Sequence, residues 1–224
     1  HMLKDAFQRI LKELKAAGHA LSMDEVLYHC ETGESFPPRA FAVTFDDGFE
    51  NNASIAAPIL VDMQVPTTFY ITTGFVENNA MSWTDCIEYC LEYAPAGSLH
   101  LPWLLEATVF SSTADRIALL EEIRREVKTN PDVAVNDLIA SIYEQCAMEE
   151  VRSGDDSLNR MMDWGQVKHL AATAEFIVGG HSHSHAAATA TVCWLAGWLD
   201  AGWLAAGWHR HTVGEKMHDL GVLA

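Results

Sequence analysis

Two short polar segments, far apart in the chain, contain the residue types of a metal site. Residues 44–48, Thr-Phe-Asp-Asp-Gly, supply two adjacent carboxylates, and residues 181–185, His-Ser-His-Ser-His, supply a cluster of imidazoles. Neutral imidazole nitrogens and a carboxylate oxygen form a zinc-type ligand set that leaves room for water. A second carboxylate beside such a metal can act as a general base. The two segments together therefore predict a catalytic metal centre, provided that the fold brings them together.

Each polar segment follows an apolar stretch that is typical of a buried strand. Residues 40–45 (Ala-Phe-Ala-Val-Thr-Phe) lead to the aspartates, and residues 176–178 (Phe-Ile-Val), followed by Gly179 and Gly180, lead to the histidines. The carboxyl ends of parallel strands lie at one edge of a sheet, where α/β proteins collect catalytic groups. We therefore expect both segments at one sheet edge.

Helical patterns alternate with these strands. Apolar spacing predicts a helix from Leu3 that ends at Gly18, and Ser22 with Glu25 forms a capping box for a second helix. The remaining predicted elements are a helix at 53–63, a strand at 67–72, helices at 84–93, 114–129 and 135–150, and a helix capped by Asp163 and Gln166 before the strand at 175–178. The alternation predicts an α/β protein with a helical insertion at about 82–162.

The two polar segments resemble the motifs of polysaccharide deacetylases, the NodB-homology or carbohydrate esterase family 4 group. Residues 44–48 match the family's TFDDG motif, and residues 181–185 match its H-[S/T]-x-x-H motif, with His181 and His185 as the terminal members. Residues 65–75 are similar to the family's second barrel strand and loop, and residues 164–180 to the helix and strand before its histidine motif. The resemblance covers roughly residues 35–185, and two motifs in the right order are far more specific than one.

This resemblance implies a distorted, incomplete, TIM-barrel-like (β/α) barrel of NodB type. It also implies that Asp46 is the general base and that Asp47, His181 and His185 bind zinc or another divalent transition metal, while His183 falls at a variable position. In the family, the metal polarises an N-acetyl carbonyl that water then attacks. The implied activity is removal of N-acetyl groups from an N-acetylhexosamine-containing glycan or amino sugar.

The family's later motifs are not recognisable in this sequence. They comprise an Arg- and Pro-containing strand, an Asp-Trp segment, and a Leu-x-His segment whose histidine is the general acid. We therefore expect residues 1–185 to form a NodB-like domain and residues 186–224 to be an atypical Trp-, Gly- and Ala-rich segment. The alternative is a truncated, catalytically impaired metal-binding protein of the same ancestry that forms a homo-oligomer through this tail.

Three interpretations of the tail remain open. Tryptophans recur at positions 194, 198, 203 and 208 in an apolar background, which is compatible with a buried helix. A membrane span needs about 20 apolar residues, and Asp200 within it would cost about 3 kcal/mol, so no span is expected. The interpretation that we favour is a tail that is out of frame or otherwise aberrant.

Composition excludes some partners. The chain has 14 basic and 31 acidic residues, and its formal charge of −17 disfavours nucleic acid and anionic lipid as partners. A neutral or amino-bearing glycan is compatible with this charge. The five cysteines show no zinc-ribbon spacing, and Cys86 with Cys90 fits one face of a helix. With no visible secretory signal, these features predict reduced thiols in a cytoplasmic protein.

Overall fold

The computed structural model describes residues 3–154 and 158–185 and the backbone of residues 221–223. The predictions for the Trp-rich tail, including its role in oligomerisation, fall outside these described residues. The helices and strands, in chain order, are α1 (Lys4–Ala17), β1 (His19–Ala20), α2 (Met23–Thr32), β2 (Ala40–Phe45), a π-helical segment (Asn52–Ala56), α3 (Ala57–Asp62), β3 (Thr67–Thr72), α4 (Thr73–Asn78), α5 (Trp83–Tyr93), β4 (Gly97–Leu99), β5 (Thr108–Phe110), α6 (Thr113–Thr129), α7 (Val135–Gln145), α8 (Trp164–Ala171), β6 (Phe176–Ser182) and β7 (Gly221–Leu223).

A parallel sheet with the strand order β1-β2-β3-β6 forms the centre of the fold, and β7 also pairs with β2. The predicted β2-α3-β3 unit is present, and the sheet formed by the described residues does not close into a barrel. The predicted α/β class and the incomplete barrel are thus confirmed. Within the described part of the chain, no helix is both long and apolar enough to cross a bilayer.

One face of the sheet is covered by helices α1, α3 and α8. Alternate residues of β2 and β3 point to this face, and they form a core with Leu11 of α1, Leu60 of α3 and Leu170 of α8. The other face of β2 presents Ala40 and Ala42 to helix α2. Since the two faces of the sheet are packed by different helices, the carboxyl ends of the strands are held at a defined edge.

Residues 82–162 contain a second core, formed by helices α5, α6 and α7. Its fully buried members include Ile87, Ile123 and Ile139, one from each helix. The three predicted helices are present, but the antiparallel hairpin β4–β5 was missed because its strands have three residues each and show no alternation. Helix α7 ends at Gln145, five residues before the predicted end, because Ala147 adopts a left-handed conformation with φ 53°.

The predicted helix at 53–63 is divided around Pro58. A π-helical segment, Asn52–Ala56, precedes α3, in which Pro58 lies in the first turn. Proline has no N–H and its ring crowds the preceding turn, so a wider turn there avoids the clash. The capping predictions are confirmed: Ser22 pairs with Glu25 and Asp163 with Gln166, each in a complete capping box.

Cysteines 86 and 90 lie on the buried face of α5, as predicted from their spacing. Burial raises the pKa of the Cys86 thiol to about 11, which leaves little reactive thiolate near neutrality. We therefore expect iodoacetamide to modify the partly exposed Cys30 in the native protein but to modify Cys86 only after unfolding. Peptide mapping by mass spectrometry resolves the two sites. Equal labelling rates in the native state would contradict the buried position of Cys86.

Candidate metal centre

The two polar segments meet at the carboxyl edge of the sheet. Asp46 and Asp47 directly follow β2, and His181 lies near the end of β6. Both strands pair with β3, one on each side, so their ends are separated only by the end of β3. The expectation of a shared edge is confirmed. Strand β6 is longer than predicted, because it continues through Gly179 and Gly180 and includes His181 itself.

Asp47, His181 and His185 form a compact cluster of side chains. One potential ligand atom from each lies within 4.8 Å of the other two. The Nε2 atoms of His181 and His185 lie 3.9 and 3.7 Å from Oδ1 of Asp47. Ligand atoms lie about 2.0–2.2 Å from zinc, so two ligands of one ion are at most about 4.4 Å apart. Both distances satisfy this limit, and the donor set of two imidazoles and one carboxylate suits a divalent transition metal.

Neighbouring hydroxyl groups hold the cluster in place. Thr72, at the end of β3, donates from Oγ1 to Oδ1 of Asp47 at 2.9 Å, and its backbone N–H donates to the Asp47 carbonyl. The backbone N–H of His185 donates to Oγ of Ser182 at 2.9 Å. Thr72 and Ser182 are themselves 3.5 Å apart, oxygen to oxygen. These bonds link the ends of three strands. The sequence motifs include Ser182 but not Thr72, which lies at the end of another strand.

The backbone is left-handed at two of the three cluster residues. The φ angle is 68° at Asp47 and 47° at His185. Non-glycine residues adopt this conformation rarely, and it costs of order 1–3 kcal/mol unless the surroundings impose it. Two hydrogen bonds constrain the backbone here, one from Thr72 to Asp47 and one from the His185 N–H to Ser182. The surroundings therefore hold the backbone of the cluster in this conformation.

His183 lies outside the cluster. Its Nδ1 atom is 2.9 Å from Oγ1 of Thr73, and its carbonyl accepts a hydrogen bond of 2.8 Å from the N–H of Gly74. These two contacts join the histidine segment to the start of α4. The backbone of His183 therefore holds the loop between His181 and His185, and its imidazole is not part of the cluster.

Asp46 lies beside the cluster without belonging to it. The residue reaches solvent, but partial burial of its carboxyl raises its pKa above the ordinary value. Positive charge on His181 and His185 opposes this shift, and the carboxylate of Asp47 adds to it. Asp46 therefore interacts electrostatically with all three cluster residues while lying outside the group of potential ligands.

The Thr72 hydroxyl provides a direct test of the hydrogen bonds around the cluster. Replacing Thr72 with valine keeps the side-chain shape in a fully buried position and removes the hydrogen bond to Asp47. We expect zinc affinity to fall about 10- to 100-fold, the usual effect of losing a group that orients a ligand. Competition with a chromophoric chelator measures this affinity. Thr72→Ser, which keeps the hydroxyl, is the matched control, and equal affinities in the two variants would contradict the role.

A family model and a solved structure are similar to this chain. The family model described as polysaccharide deacetylase matches residues 33–195, which include both polar segments. Among solved structures, the deacetylase domain of BpsB from Bordetella bronchiseptica is similar at 18% identity and a TM-score of 0.39, over 82% of this chain and 44% of that chain. The present chain thus spans less than half of that structure, and no curated protein matches it. Because the family match covers most of the chain and contains the whole cluster, this protein belongs to the polysaccharide deacetylase family.

Proposed function

We propose that this chain is a metal-dependent hydrolase that removes N-acetyl groups from an N-acetylhexosamine-containing glycan. The observation that supports this most directly is the cluster of Asp47, His181 and His185 at one sheet edge, in a chain of the polysaccharide deacetylase family. The amide bond of the N-acetyl group is cleaved, acetate leaves, and a free amine remains on the sugar.

Asp47, His181 and His185 are the residues that would hold the metal. Zinc fits the donor set, and other divalent transition metals share this preference, since affinities at such nitrogen and oxygen sites overlap. When bound, the ion would polarise the N-acetyl carbonyl and lower the pKa of water from about 15.7 towards 7. Thr72 would keep the Asp47 carboxylate in its ligating orientation, through the hydrogen bond to Oδ1.

Asp46 would accept the proton of the attacking water. Its carboxyl lies next to the cluster, and its raised pKa brings it closer to the range in which a carboxylate works as a base near neutrality. The ring of Phe75, whose centroid lies 6.0 Å from that of His185, packs beside this imidazole.

The domain division also remains a proposal. We propose that residues 1–185 form the deacetylase domain and that residues 82–162 are an insertion within it. The separate core of α5, α6 and α7 supports the insertion, because this core is distinct from the one beneath the central sheet. Residues 186–220 lie outside the described part of the chain, and the proposal does not extend to them.

Acetate release from N-acetylglucosamine oligomers tests the proposed function. We expect release that is lost after treatment with a chelator and restored by added zinc. The rival function is that of a metal-binding protein without catalysis, which would bind zinc at about one ion per chain and release no acetate from any N-acetylated glycan. Zinc stoichiometry by elemental analysis, measured on the same preparation, separates the two.

A further inference from the structure

A cavity of about 500 Å³ lies in the insertion, away from the residues of the metal centre. It is formed by the segment between β4 and β5, the connection between α6 and α7, and the first turns of α7. Its volume falls within the range of small-ligand sites in proteins, about 300–1,000 Å³. Part of its lining is apolar, from Pro102, Val133, Ala134 and Leu138, and the remaining lining residues are Trp103, Asn130, Asp132, Asp137 and Ser141.

Trp103 provides the aromatic surface of the cavity. The residue packs against the insertion core and is partly exposed. Its indole Nε1–H is buried, and no hydrogen-bond partner for it exists among the described residues. Because this nitrogen is closed off from solvent, it does not face the cavity, and only the exposed part of the Trp103 ring is available to a ligand.

The charge of the cavity wall is negative. Asp132 and Asp137 both line it, and none of the described lining residues is a lysine or an arginine. Asp137 lies in the first turn of α7, where a carboxylate also stabilises the helix dipole. Asp132 precedes helix α7, so stabilisation of the helix dipole does not explain its carboxylate. Its backbone N–H donates to Oδ1 of Asn130 at 3.1 Å, which fixes the loop that carries the carboxylate.

Two neutral polar residues, Ser141 and Asn130, also line the cavity. Ser141 accepts a hydrogen bond of 3.1 Å from Gln145 Nε2, which leaves its O–H free to donate. Asn130 donates from Nδ2 to Glu126 at 2.8 Å, so its orientation is fixed from outside the cavity. An aromatic ring, fixed hydroxyl and amide groups and two carboxylates suit a ligand that is ring-shaped, hydroxylated and positively charged.

We propose that this cavity binds a hexosamine unit that has a free, protonated amine. The inference rests on the proposed function, because such units are what deacetylation of the glycan would produce. The amine would pair with Asp132 and Asp137, and the sugar ring would contact the face of Trp103, which attracts both pyranose C–H groups and cations. The cavity would thus hold deacetylated stretches of the same glycan whose N-acetyl groups react at the metal centre.

Calorimetric titration with two matched probes tests the proposal. We expect a glucosamine tetramer to bind at least about tenfold more tightly than an N-acetylglucosamine tetramer, because only the first has amines. Asp132→Asn should weaken binding of the glucosamine tetramer about tenfold, in line with the loss of one charge-assisted hydrogen bond. Glu121→Gln, an equal loss of charge on the exposed face of α6, is the control and should leave this binding unchanged.

Two further measurements separate this proposal from its premise. Trp103→Phe keeps most of the core packing and should reduce binding of the glucosamine tetramer without loss of folding, as checked by thermal unfolding. Asp47→Ala should leave that binding unchanged while acetate release is lost. If both tetramers bind equally, or if Asp132→Asn behaves like Glu121→Gln, the cavity proposal is wrong. If the cavity binds as expected but the native protein releases no acetate, the proposed function is wrong instead.

Discussion

Replacing Asp47 with alanine is expected to remove zinc from the protein and to abolish acetate release. Asp47 supplies the only carboxylate of the described cluster, and its Oδ1 faces both imidazoles at 3.7 and 3.9 Å. Without it, two imidazole nitrogens remain, and none of the remaining potential ligands carries a negative charge. We expect a loss of affinity greater than about 100-fold, since even the loss of an orienting group costs 10- to 100-fold. Elemental analysis after gel filtration measures the bound zinc.

Two further variants test whether the loss of zinc is caused by removal of the Asp47 carboxylate. Asparagine tolerates the left-handed conformation of Asp47 better than alanine does, so Asp47→Asn separates the loss of charge from backbone strain. His183→Ala removes an imidazole from the same segment but outside the cluster, and it should retain about one zinc per chain. Zinc retained by both Asp47 variants would show that the metal is bound elsewhere, and the proposed mechanism would then lose its basis.

Replacing Asp46 with asparagine is expected to lower kcat by about 10² to 10⁴ without changing the zinc content. The amide has nearly the same size as the carboxyl but cannot accept the proton of the attacking water. The structure places Asp46 next to the cluster and outside the group of three potential ligands, so metal binding should not depend on it. Steady-state acetate release and elemental analysis of the same sample measure the two quantities.

The zinc content and kcat of Asp46→Asn together distinguish the possible roles of Asp46. Loss of zinc along with activity would show that this carboxylate is a ligand and not a base. Full activity in Asp46→Asn would mean that another group accepts the proton. Both results differ from the expected pattern, in which the metal stays and the rate falls.

The candidate site was largely predictable because its motifs are local in sequence. The residue types at 44–48 and 181–185 indicate metal chemistry by themselves, and the apolar stretches before them indicate the strands. Thr72 could not be found in this way. Its role depends on β3 lying between β2 and β6, and that order is set by packing between distant segments.

Strand β6 shows how tertiary pairing can overcome a local preference. Gly179 and Gly180 favour a turn in isolation, yet both pair with β3, opposite Tyr70 and Ile71. A Cβ atom at Gly179 would lie 3.1 Å from the Tyr70 ring, so glycine allows the two strands to approach closely there. The hairpin β4–β5 was missed for a different reason, since its three-residue strands show no alternation, and the π-helical turn is a local response to Pro58.

The contact between Gly74 and His183 sets the mutational tolerance of this site. A Cβ atom at position 74 would lie 2.4 Å from the His183 carbonyl oxygen, so even alanine would force the two backbones apart. That movement would displace the loop between His181 and His185. A residue with no functional group is thus as tightly restricted as the proposed metal ligands. An account of which substitutions the site tolerates must therefore include residues whose backbone packs against it, as well as the side chains that perform the chemistry.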